Sequence, residues 1–114
     1  MHTETQLEQI KGEISRELQA ALGSRLRKII LYGSYARGDY NEDSDIDIMV
    51  LADIEEEDMR VFRDLANEVA SRISLKHSAL VTISIRNRPL FYSHMDILPF
   101  YQNVVNEGVV IYGH

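Results

Sequence analysis

Gly33-Ser34-Tyr35-Ala36-Arg37-Gly38-Asp39-Tyr40-Asn41-Glu42-Asp43-Ser44-Asp45-Ile46-Asp47 lies between two apolar runs. Ile29-Ile30-Leu31-Tyr32 precedes it, and Ile46 to Leu51 overlaps its end. The reading is a strand that stops at a small Gly-Ser pair, and a second strand that begins with two acids. Residues i and i+2 of a strand share a face. Asp45 and Asp47 are therefore expected to project together, with Ile46, Ile48 and Val50 on the opposite face. Two neighbouring carboxylates repel unless a positive charge sits between them. A hard divalent cation such as Mg²⁺, which takes oxygen ligands, is the usual answer.

Outward from this stretch, the chain reads as one run of alternating elements. Leu7, Ile10, Ile14, Leu18, Ala21 and Leu22 recur at helical spacing before Gly23. A helix is predicted over roughly 5–22, opened by a Thr5–Glu8 capping box. Leu26 to Tyr32 is the first strand, apolar enough at its end to be covered on both faces. Tyr35 to Arg37 suits a short helical turn, and Gly38 to Ser44 a polar loop in which Asp39, Glu42 and Asp43 are solvated. Asp45 to Ala52 is the second strand. The acids of 53–58 complement the start of a helix placed at 55–74, where Phe62, Leu65, Ala66, Val69, Ala70 and Ile73 keep a 3.6-residue period.

A third strand is predicted over Ala79 to Ile85, broken by Arg86-Asn87-Arg88-Pro89. Leu90 to His94 reads as extended or irregular. Pro99 suits the first turn of a helix that Gly108 ends, and Val109 to Tyr112 is a short last strand. Strands 1 and 2 are joined by about a dozen residues, too few for a full parallel crossover with a helix. They are expected to be antiparallel or linked through one abbreviated helical turn. The fold class is α+β, an α/β sandwich: a mixed β-sheet with helices packed on it.

Composition bounds the function. A chain of 114 residues suggests a single domain over 1–114. Apolar and charged contents of 45% and 26% are those of an ordinary globular protein, and no run is long enough to span a membrane. Met1-His2-Thr3-Glu4 lacks the pattern of a signal peptide, and the chain has no cysteine, which together predict a cytoplasmic protein. A formal net charge of -6 argues against extensive nucleic-acid binding. His77 and His94 are isolated, so no zinc site is expected.

Nucleotidyl and phosphoryl transfer need a phosphate cradle, charge neutralisation and an aligned nucleophile. Gly33 lets the backbone approach a phosphate closely. Ser34 offers a hydroxyl, and an amide if it opens a helical turn. Asp45 and Asp47 would hold Mg²⁺ against the same phosphates. Arg37 is placed either to meet a phosphate oxygen or to form a surface ion pair.

Gly-Ser, ten residues, then Asp-x-Asp resembles the signature of the DNA-polymerase-β-like nucleotidyltransferase superfamily. The local wording Gly33-Ser34-Tyr35-Ala36-Arg37-Gly38 and Ser44-Asp45-Ile46-Asp47 resembles the minimal nucleotidyltransferase (MNT) family, as does the tail from Phe100 to Tyr112. The resemblance implies a nucleotidyltransferase-like core that binds a nucleoside triphosphate, ATP foremost, with magnesium. It implies nucleotide contacts at Gly33 and Ser34, and catalytic metal ligation by Asp45 and Asp47. It implies transfer of AMP to a hydroxyl acceptor, plausibly a tyrosine of a HEPN-type toxin whose antitoxin this chain would be. With no room for a substrate domain before His114, the substrate is expected on a partner or across a homo-oligomer. One expected element is missing. Such enzymes usually draw a third carboxylate from a later strand, and 79–85 holds Thr82 and Ser84 but no acid. The alternative is an inactive binding module that masks a ribonuclease partner or senses nucleotide.

Overall fold

A computed structural model describes residues 4–41 and 43–113, so the Glu42 part of the solvated-loop expectation lies outside the described residues. Helix α1 covers Glu4–Leu22, strand β1 Leu26–Tyr32, the single-turn helix α2 Ser34–Arg37 and strand β2 Ile46–Ala52. Helix α3 follows at Met59–His77, then strand β3 at Val81–Asn87, helices α4 (Arg88–His94) and α5 (Pro99–Glu107), and strand β4 (Val109–Tyr112). The sheet runs β3-β2-β1-β4. β1 is antiparallel to β2 and to β4, and β2 is parallel to β3. The β2–β3 crossover contains α3, as a parallel connection requires.

Alternation along the strands divides the core in two. Ile29, Leu31, Ile48, Val50, Ile83 and Ile85 point to the side covered by α1 and α3, where Ile10, Ile14, Leu18, Ala66, Val69 and Ile73 meet them. Ile30, Met49 and Leu51 point the other way, to Phe91 of α4 and Val104 of α5. Phe91 is 1% exposed and stacks on Tyr101 at 4.3 Å between ring centres. Burial of such a ring contributes about 1.5–3 kcal/mol. Gly108 joins α5 to β4 where a Cβ would lie 2.4 Å from Ile30 Cγ2 and 2.3 Å from the Val104 carbonyl oxygen. Only a residue without a side chain lets α5 settle this closely on β1.

The predicted boundaries shift in four places. Thr5 lies inside α1, whose first described residue is Glu4, so it does not cap that helix start. Glu56–Asp58 form a 3-10 turn before α3, and α3 then runs to His77, ending at Ser78 in the left-handed region (φ 51°). β3 starts two residues later than expected and continues through Asn87. Leu90 to His94, read as extended or irregular, are helical, in α4, which starts at Arg88 within the predicted break. The Asn87 side chain accepts a hydrogen bond from the Leu90 amide and Pro89 occupies the first turn, where its missing N–H costs nothing.

Candidate active site

The site is built by register. Tyr32 of β1 stands opposite Asp47 of β2, and Thr82 of β3 stands beside Asp47 on its other flank. All three side chains emerge on the α4–α5 face, but those helices cover the sheet only from Met49 onward. The start of β2 is left open. The Thr82 hydroxyl donates to Asp47 Oδ1 at 2.8 Å. The other carboxylate oxygen, Oδ2, looks toward Gly33, where a Cβ would lie 2.5 Å from it. Gly33 has φ 77° and ψ -155°, a backbone region essentially reserved for glycine. The Gly-Ser bend and the carboxylate are thus fitted to each other at van der Waals range.

Gly33 caps α2, whose first residue is Ser34, as the sequence predicts. The Ala36 and Arg37 amides bond to the Gly33 carbonyl at 3.1 Å each. Arg37 forms ion pairs with Asp39 (3.2 Å) and Glu107 (3.5 Å), all three side chains being exposed. Its surface-pair reading is therefore realised, while the guanidinium still lowers the Asp47 pKa through its charge. Asp45 lies just before β2, exposed, and raises the Asp47 pKa by like-charge repulsion.

Asp47 has a carboxyl pKa above its ordinary value. Partial burial is the main cause and the Asp45 charge adds to it, against the lowering pull of the Thr82 hydrogen bond and Arg37. The Tyr32 hydroxyl is likewise raised, first by burial and then by the Asp47 charge, while its hydrogen bond with Ser84 and the Arg86 charge oppose the rise. A pocket of about 470 Å³ opens at this point. Tyr32, Gly33, Arg37 and Asp47 line one side, and Phe100, Asn103, Val104 and Glu107 of α5 the other. The structure thus brings Gly33, Ser34, Arg37, Asp45 and Asp47 to one end of the sheet. The α5 wall is the part that sequence reasoning missed, because nothing local in Phe100 or Asn103 reports that α5 folds back over β1.

The donor set fits a hard cation. Asp45 and Asp47 would supply two carboxylates and Thr82 a hydroxyl, while among the described residues no group of three His, Cys, Asp or Glu converges. Mg²⁺ is commonly held by one or two carboxylates plus substrate phosphates and water, and does not need an all-protein cage. What β3 lacks is an acid beside Asp47: Thr82 and Ser84 occupy the places where its side chains face the site.

An antiparallel strand pair joined through a glycine bend, with an acid pair near the open end of a mixed sheet, is the fold of a nucleotidyltransferase domain. The chain belongs to the nucleotidyltransferase domain family, whose model matches residues 7–110. Two proteins of Methanocaldococcus jannaschii, MJ0604 and MJ0141, are similar to it along nearly their whole length; both are named as presumed protein adenylyltransferases. MJ0604 is 34% identical over 100 residues, covering 88% of this chain and 92% of the relative. MJ0141 is 32% identical over 105 residues, covering 90% and 96%. Among solved structures, a chain of a toxin–antitoxin complex with AMP-PNP superposes with a TM-score of 0.61 at 24% identity, over 91% of this chain and 73% of that one. A chain from the complex of a tri-AMPylated Shewanella oneidensis HEPN toxin with its MNT antitoxin gives 0.56 at 21% identity, over 94% and 72%. At these identities the structural likeness establishes the fold. Members of the family typically use a divalent metal. No helix among the described residues is long and apolar enough to cross a membrane.

Proposed function

We propose that this chain is a single-domain, Mg²⁺-dependent nucleotidyltransferase that moves AMP from ATP to a hydroxyl of a protein partner, and that the partner is a HEPN-type toxin. The observation that carries the reading is the fit of Asp47 between Gly33 and Thr82 at the mouth of the pocket. The names of the archaeal relatives and the AMPylated toxin of the S. oneidensis complex support the acceptor class.

In this reading Gly33 and Ser34 receive the triphosphate through the backbone at the start of α2. Asp45 and Asp47 hold the cation, which neutralises phosphate charge when bound. Arg37 exchanges its surface carboxylates for a phosphate oxygen. Thr82 fixes the Asp47 carboxylate in one rotamer, so that Oδ2 stays toward the cradle. The acceptor oxygen attacks the α-phosphorus and forms the new O–P bond as the bond to the bridging oxygen breaks. Pyrophosphate leaves, and the acceptor proton passes to solvent at the open end of the sheet. Incubation with labelled ATP, Mg²⁺ and a co-expressed HEPN partner tests this: label on the partner, lost on chelation, is the expected result. An unlabelled partner that binds the chain overturns it.

The absence of an acid on β3 favours a second reading, in which the chain neutralises its partner by masking alone. Under masking, Asp47→Asn still protects cells from the toxin. If the variant binds the toxin but no longer protects, transfer is the protective act.

A further inference from the structure

Arg27 and Arg88 share Asp53 as their counter-charge. Arg86, near the end of β3, differs from both. It is partly buried and joins no ion pair among the described residues. Its Nε donates to the Tyr101 hydroxyl at 3.3 Å and its Nη1 to the Ile85 carbonyl at 2.9 Å. Both acceptors are neutral, so they fix the guanidinium in place without balancing its charge. The remaining N–H groups on Nη1 and Nη2 have no acceptor among the described residues. A charge taken partly out of water is costly unless it is paired.

This guanidinium lines a pocket of about 260 Å³ between the end of β3, the start of α3 and helices α4 and α5. The pocket shares no lining residue with the one at Asp47. Its floor is apolar: Ile54, Ile85 and Phe91 are each no more than 2% exposed. Arg63 and His94 line it as exposed side chains, and Glu56 is the single acid among its lining residues.

Charge and floor together select the occupant. Two arginines against one glutamate leave a single positive charge, to which His94 adds when protonated. That balance suits a monoanion better than a doubly charged phosphate, which Glu56 repels more strongly. The planar fork of a guanidinium meets both oxygens of a carboxylate at once. The apolar floor gives a hydrocarbon body a place out of water.

We propose that this pocket binds a small monocarboxylate with an apolar body, the carboxylate held end-on by Nη1 and Nη2 of Arg86 and the body lying on Ile54, Ile85 and Phe91. The bonds to Tyr101 and Ile85 hold the fork ready before the ligand arrives, so little side-chain freedom is lost on binding. The site stands apart from the transferase reading, since it needs neither the nucleotide nor a cation.

The probe is phenylacetate, titrated into the full chain with its isoleucine methyl groups isotope-labelled for NMR. Saturable shifts centred on Ile54 and Ile85 are expected. Phenylacetamide keeps the body and loses the charge, and is expected to bind at least about tenfold more weakly, the weight of a hydrogen bond to a charged group. Acetate keeps the charge and loses the body, and is expected to be weaker by a similar factor of about ten. Arg86→Gln is expected to weaken phenylacetate at least about tenfold. Should that variant fail to fold, Arg63→Gln, a change at an exposed side chain, is expected to weaken phenylacetate about threefold and to leave phenylacetamide unaltered. Shifts that are absent or do not saturate at Ile54 and Ile85 overturn the proposal. Equal binding of acid and amide also overturns it and makes the pocket an apolar crevice. Undiminished affinity in Arg86→Gln, or in Arg63→Gln where that variant stands in, overturns the role given to the arginines. Inorganic phosphate that binds more tightly than phenylacetate overturns the choice of a monocarboxylate.

Discussion

Asp47 and Asp53 stand at the two ends of one strand and have opposite fates. Asp53, just past β2, is held by Arg27 at 2.5 Å and Arg88 at 3.1 Å. Its pKa falls, chiefly through the Arg27 hydrogen bond. Asp47 sits at the start of the strand, partly buried and beside another acid, and its pKa rises. The chain pairs two arginines with the acid that ties β2 to β1 and α4, and leaves the acid at the other end of the strand under-compensated. An ion-paired acid is a structural tie, whereas an under-compensated acid in a pocket marks a functional position.

The largest expected difference comes from neutralising each in turn. Asp47→Asn should lower labelling by ATP at least about 100-fold, as loss of a principal electrostatic group in a transfer site does. Its melting temperature should stay level or rise. A raised carboxyl pKa means that the folded state holds the proton more tightly than the unfolded chain. The wild type therefore loses stability as pH climbs above 3.8 through the folded value, and the variant does not. Asp53→Asn should leave labelling within twofold and cost up to about 1 kcal/mol in denaturant unfolding at pH 7, the scale of exposed pairs. The sign is opposite here: the Asp53 contribution is present above its ordinary value of 3.8 and is lost as pH falls through the lower folded value. If both variants lower labelling alike, the contrast between the two ends fails.

Gly33→Ala sharpens the same contrast from the backbone side. The new Cβ meets Asp47 Oδ2 and the φ of 77° disfavours it. A loss of about 1–3 kcal/mol is expected from the strained backbone alone, with labelling reduced nearly as far as in Asp47→Asn. A milder loss of labelling than in Asp47→Asn or Gly33→Ala is expected of Thr82→Val, which keeps the shape and removes the hydroxyl. Labelling should fall about tenfold, the low end of the weight of a hydrogen bond to a charged group. Its pH profile should shift to higher pH, because the bond that lowers the Asp47 pKa is gone. An unshifted profile would show that Thr82 does not position Asp47.

Most of this was legible where the signal is local. The pairing of Asp45 and Asp47 with Gly33 and Ser34 follows from a spacing, and β1, β2, α5 and β4 from apolar runs and their stop residues. The missed helix α4 has a definite cause: the Pro89 taken as a breaker lies in the first turn of a helix. Pro89 opens α4 because Asn87 stands before it as a capping acceptor, which an Asn-Arg-Pro sequence could have signalled. The placement of Thr82 against Asp47 depends on the parallel β2–β3 register, and the pocket wall on α5 lying over β1. Those facts are set by pairings distant in sequence, which no local period encodes.

The return of α5 and β4 to β1 also fixes an order of events in time. Ile30 pairs with Val110, about 80 residues further along the chain. Contacts of such separation close slowly and form after local ones. The pocket wall is complete only when Gly108 slots against Ile30, so the pocket takes shape late in folding.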